Sequence, residues 1–110
     1  MKILALEKEI PGDDPERFRP HLRAEAARLW ELHQEGAVRE LYFRADRSEA
    51  VLVLESAGVA EARELLGTLP LVSAGLIEFE LIPLTAYPGF ARLFAGDEQI
   101  RSTGRGETGS

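Results

Sequence analysis

The sequence predicts an α+β fold, a single domain whose four strands and two helices follow one another in the order βαββαβ. Three observations predict it: short apolar runs with strand spacing, longer runs with helical spacing between them, and turn-forming residues at the junctions. A chain of 110 residues has room for one hydrophobic core and not two.

Residues 2 to 9 open with Ile3-Leu4-Ala5-Leu6 and close on charges, which reads as a strand. Pro11-Gly12-Asp13-Asp14-Pro15 is a loop, with Asp14 suited to cap a helical turn that Pro15 starts. Pro20 would break a continuous helix, so a short first turn and a main helix from about Pro20 to Glu35 are expected. Within that helix Leu22, Ala26, Leu29 and His33 recur at helical spacing with Leu32 beside them, predicting the face that packs on the sheet. Gly36 is the expected C-cap. Val38–Arg44 and Ala50–Glu55 flank the polar Ala45-Asp46-Arg47-Ser48 and form a hairpin. Val59, Ala62, Leu66 and Leu69 mark a second helix that stops near Pro70, and Ile77–Leu84 is the last strand. Pro88–Ala95 holds one or two further helical turns. This order is the ferredoxin-like split βαβ arrangement, with a four-stranded antiparallel sheet. The domain is expected over residues 1–95, and residues 96–110, rich in Gly, Ser, Thr and charge, are expected to form a flexible tail.

Composition excludes several function classes. With no cysteine there is no disulfide, thiolate metal site or Cys nucleophile. A net charge of −6, with bases interleaved among acids along the first helix, argues against nucleic acid as a partner. No run approaches the apolar length of a membrane span, and the amino terminus lacks a signal-peptide pattern, so a soluble cytoplasmic protein is expected. His21 and His33, 12 positions apart, have no recognised metal spacing, and no metal is expected.

The strands are apolar on both faces. Ile3 and Ala5 oppose Leu4 and Leu6, and Val51 and Val53 oppose Leu52 and Leu54, yet both helices of this topology lie on one side. Leaving the second face in water would forgo about 5–10 kcal/mol at the usual area coefficient, as much as the whole stability of a small domain. A second copy in C2 symmetry is the expected cover.

Four features resemble the muconolactone isomerase-like branch of the dimeric α/β-barrel proteins. They are Glu35-Gly36 followed by Arg39 and Leu41, Leu69-Pro70-Leu71 after the second helix, Ile77-Glu78-Phe79 beyond it, and a proline-containing segment after the final strand. Together they span residues 2 to about 94. The resemblance implies a homodimer with sheets packed face to face, rings of such dimers as a higher oligomer, and a pocket for a small-molecule ligand. It implies a cofactor-free proton shift on a small organic acid or lactone. Such a reaction needs a base at the acidic carbon, enolate stabilisation and a cation for the acid group. By matched position Arg39 is the candidate anion-holding group and Glu78 the candidate base.

His21, at the edge of the helix stripe, is a second candidate for moving the proton. Glu40 and Tyr42, which share one face of the second strand, are candidate substrate-binding residues beside Arg39. Tyr87, Phe90 and Phe94 form a candidate latch onto a partner subunit. Two other functions fit the same scaffold: a non-catalytic ligand-binding or assembly module, and a cofactor-less monooxygenase.

Overall fold

A computed structural model of the chain describes residues 1–12 and 14–94. Its strands are β1 (Lys2–Glu9), β2 (Val38–Phe43), β3 (Ala50–Glu55) and β4 (Ile77–Pro83), and its helices α1 (Leu22–Gln34), α2 (Val59–Gly67) and α3 (Pro70–Ser73). The strands form one antiparallel sheet in the order β2-β3-β1-β4. The expected α+β ferredoxin-like arrangement is therefore present. The tail expected over residues 96–110 lies outside the described residues.

Local chemistry sets the element boundaries. Asp14 accepts a hydrogen bond from the Glu16 backbone N–H at 3.0 Å, and Pro15 opens a 3₁₀ turn over Pro15–Arg17. Pro20 sits in a second 3₁₀ turn, Arg19–His21, so the ring that would disrupt an α-helix interior is spent before α1 begins. At the other end Gly36 takes φ +85°, the left-handed conformation glycine adopts without strain, while Ala37 N–H returns to Leu32 O at 3.0 Å. Pro70 ends the second helical run as expected but then starts a third, because proline suits a first helical position; α3 is a short helix the sequence reading did not include. The last described residues hold a 3₁₀ helix, Gly89–Leu93, where a helical turn was expected.

The core lies between the sheet and the helices. Ile3, Ala5, Leu52, Leu54 and Val38 from the sheet meet Leu32, Ala62, Leu66 and Leu69, all buried. Strand alternation leaves Leu4, Leu6, Val51, Val53 and Ile82 on the opposite, open face, where they are only half-buried. Both faces of the central strands are apolar, as expected, and the described chain covers one.

The buried line of α1 is not the predicted stripe. Leu22 is 51% exposed, and Ala26 and His33 are exposed as well. The residues turned inward are Glu25, Leu29 and Leu32, a line rotated by roughly 60° from Leu22-Ala26-Leu29-His33 at 100° per residue. The reason is a hydrogen bond: Glu25 Oε1 accepts the Leu71 backbone N–H at 2.9 Å, which pins the Glu25 side of α1 against α3. The predicted stripe instead borders an open apolar groove between α1 and β2, lined by Ala26, Leu29, Trp30, His33 and Leu41.

Truncation separates the two lines. Leu32→Ala should lower unfolding free energy by about 3 kcal/mol, as deleting a fully buried leucine does. Leu22→Ala should cost less than about 1 kcal/mol, as at an exposed position. Urea titrations of both variants measure the contrast.

Candidate functional site

Alternation along β1 brings Ile3, Ala5 and then Glu7 to the helix-covered face. Helical spacing brings Glu25 into line with Leu29 and Leu32. Two carboxylates thus occupy positions where the pattern of each element calls for apolar side chains, and they are 8% and 9% exposed. Each is held by one backbone donor. Ala50 N–H, at the start of β3, donates to Glu7 Oε1 at 2.8 Å, and Leu71 N–H, at the start of α3, to Glu25 Oε1 at 2.9 Å. Neither Oε2 accepts a hydrogen bond from a described residue.

Both carboxylates line one cavity of about 200 Å³. Its floor is the sheet, through Glu7, Ala50, Leu52 and Phe79. Its roof is α1, through Leu22, Glu25, Ala26 and Leu29, and Leu71 closes one side. Leu22 and Phe43, both largely exposed, stand at its rim. The volume is below that of drug-sized pockets, which start near 300 Å³, and suits a single ring.

Burial raises the pKa of both groups above the ordinary 4.5. For Glu7, loss of solvation outweighs the Ala50 hydrogen bond, and the charges of Glu9, Glu49 and Glu25 push the same way. For Glu25, loss of solvation again dominates, opposed by the Leu71 hydrogen bond and by His21 one turn before it. The arrangement is a pair of carboxyls in apolar walls, one among negative neighbours and one beside a histidine. Such a pair is able to hold a proton on one member while the other is charged.

The residues singled out in the sequence are placed elsewhere, and apart. His21 ends the turn that leads into α1, beside the cavity through its influence on Glu25. Arg39 is the extra residue of a bulge between Val38 and Glu40, and its Nε donates to Gly36 O at 2.6 Å, at the far end of α1 from Glu25. Glu40 and Tyr42 are joined on the open face by a Tyr42 hydroxyl donating to Glu40 Oε1 at 2.8 Å, which raises the Tyr42 pKa. Glu78 is exposed on β4, and the strand order puts it at the opposite edge of the sheet from Arg39. Tyr87, Phe90 and Phe94 are exposed, with Tyr87 and Phe90 in an edge-to-face contact.

Sequence reasoning missed Glu7 and Glu25, although the signal was there. Each is a charge in phase with an apolar line, and that departure is the mark of a buried ionisable group. Among the described residues no cluster of three or more His, Cys, Asp or Glu side chains is arranged to hold a metal, and no helix is long and apolar enough to cross a membrane.

The same fold occurs in muconolactone isomerase, with a TM-score of 0.67 and 23% identity over 80% of this chain and 92% of that one. It occurs also in 5-chloro-2-hydroxyhydroquinone dehydrochlorinase from Burkholderia phenoliruptrix AC1100, solved in complex with 2,5-dihydroxybenzoquinone. There the TM-score is 0.61 and the identity 18%, over 79% of this chain and 96% of that one. No family model and no curated protein sequence matches the chain.

A carboxyl with a raised folded-state pKa binds its proton more tightly folded than unfolded. Its stabilising contribution is full below 4.5 and is lost as the pH rises through the folded value. The Glu7→Gln/Glu25→Gln double variant keeps both acceptors without the charges, so its urea midpoint should exceed the parent's increasingly from pH 4.5 to 8. Glu25→Leu leaves Leu71 N–H unpaired and should cost about 1–3 kcal/mol relative to Glu25→Gln. Urea titrations across that pH range check both.

Proposed function

We propose that the chain is an enzyme that moves a proton within a small unsaturated cyclic carbonyl compound, with Glu25 as base and Glu7 as acid. The observation that carries this reading is the cavity in which both carboxyls are buried with raised pKa. A carboxylic group that is poised nearer neutrality transfers protons better in both directions. The field of His21 favours the charged form of Glu25, and the charges of Glu9, Glu49 and Glu25 favour the protonated form of Glu7, which is the basis for casting them as base and acid.

The step balances without a further reactant. Glu25 takes a proton from the carbon next to the carbonyl, the electron pair spreads through the conjugated system, and Glu7 delivers its proton at the far end. One carbon–hydrogen bond breaks, one forms, and the double bond moves between them; Glu25 then releases its proton to solvent and Glu7 takes one up, which restores both groups. The apolar wall excludes water from the enolate, and the Glu7 proton neutralises charge as it develops. The reading needs no organic cofactor. Its chemistry matches what the name of muconolactone isomerase implies, and a ring of the size of 2,5-dihydroxybenzoquinone suits the cavity. Arg39, Glu40, Tyr42 and Glu78 are assigned away from this centre, Arg39 at the far end of α1 and the others on the open sheet face.

The second part of the proposal is that a second copy covers that open face. What supports it is the half-buried centre of Leu4, Leu6, Val51, Val53 and Ile82, an apolar area with no cover from the described chain. Glu40 with Tyr42, and Glu78 with Glu80, would lie at the margin of the contact.

Unsaturated γ-lactones with and without a carboxylate, incubated in D₂O and followed by NMR for deuterium uptake and product, test the chemistry. Glu25→Gln and Glu7→Gln should each lower kcat by about 10²–10⁴-fold, the usual contribution of a general acid or base. A loss confined to Glu78→Gln would move the centre to the open face, and binding without turnover would make the chain a ligand-binding module. For the assembly, sedimentation should give a dimer at micromolar concentration and a monomer for Val51→Asp. A monomeric parent would sink that half of the proposal.

A further inference from the structure

The charge of the cavity wall bears on the ligand. Among the described residues its ionisable groups are Glu7 and Glu25, both acids, and no lysine or arginine lines it. The groups around them add more of the same sign. Glu9 and Glu49 act on Glu7. Glu49 itself is met by cations, since Arg44, paired bidentately with Asp46 at 2.8 and 2.6 Å, and Arg47 each approach it at 3.7 Å. His21 acts on Glu25 and does not line the cavity. The remaining lining consists of Ala, Leu and Phe side chains.

We propose that this cavity takes a neutral single-ring carbonyl compound and rejects carboxylate-bearing analogues of the same ring. This rests on the catalytic reading of the same cavity and names its substrate class. Two effects act in one direction. A ligand carboxylate entering an apolar wall loses solvation with no cation to replace it. It also meets a carboxylate at short range, where neither water nor salt screens the repulsion. A neutral carbonyl compound meets the opposite situation, because it brings no charge to the wall: a charged Glu25 accepts from its acidic C–H, and a protonated Glu7 faces the far carbon that takes up the proton. Discrimination comes from a repulsion built into the wall rather than from an added attraction. The cavity's small volume supports the single ring, since a second ring would extend past Leu22 and Phe43 into solvent.

The test uses the full chain at pH 8 with a matched pair of probes, a butenolide acetic acid and its primary amide, which differ in charge and hardly in shape. Calorimetric titration should give the amide a Kd at least tenfold lower than the acid. In the Glu7→Gln/Glu25→Gln double variant, whose wall is uncharged, the ratio should fall below threefold. An acid that binds as well as the amide overturns the proposal, and so does a ratio unchanged in the double variant. Deuterium uptake into both probes separates this result from the catalytic reading. Uptake into the acid in preference to the amide leaves the enzyme reading standing and removes this one. Amide binding with the expected ratio but no uptake does the reverse, and binding of neither probe removes both.

Discussion

Two carboxylates buried in the layer between sheet and helices, each held by one backbone N–H, organise the rest of this molecule. Glu25 reaches from α1 to the first turn of α3, and Glu7 reaches from β1 to the start of β3. Each bond joins elements far apart in the chain and satisfies a donor that would otherwise be buried unpaired. The rotation of α1 follows from the first, since a helix that turned Leu22 and Ala26 inward would carry Glu25 away from Leu71. The cavity follows from both, because two branched polar side chains do not close-pack as leucines would.

The arrangement costs stability. Burial penalises the charged forms, and a single hydrogen bond does not restore what water supplied. A core built for stability alone would put an apolar side chain at both sites, as it does at the neighbouring Ala5, Leu29, Leu32 and Leu52. Retaining acids there makes sense if a partly protonated pair is wanted in a water-poor space. The sheet supplies the rigidity for this: β1 is central in the order β2-β3-β1-β4, so Glu7 sits on a strand paired on both sides.

The fold was legible because periodicity is local. Four apolar runs, two helical runs, the Gly36 cap and the prolines at 15, 20 and 70 each act within a few residues, and their order sufficed for the topology. Only the short α3 escaped, since Pro70 reads equally as the end of one helix and the start of another. The site was less legible. Arg39, Glu78, Glu40 and Tyr42 drew notice through motif position or strand chemistry, but strand order, which no short motif encodes, puts Arg39 and Glu78 on opposite edges. Glu7 and Glu25 were passed over because a glutamate among charges such as Lys8 and Glu9, or Arg23 and Arg28, looks like any solvated side chain.

By itself, then, the sequence determined the element order, the antiparallel sheet and the apolar character of both its faces, all consequences of patterns that repeat every two residues or every three to four. The tertiary structure decided which face of α1 turns inward and that two acids 18 residues apart in the chain share one cavity. Periodicity narrows the inward face of a helix to a sector and leaves its rotation open within that sector. Here one hydrogen bond from Leu71, a residue 46 positions further along the chain, settled it.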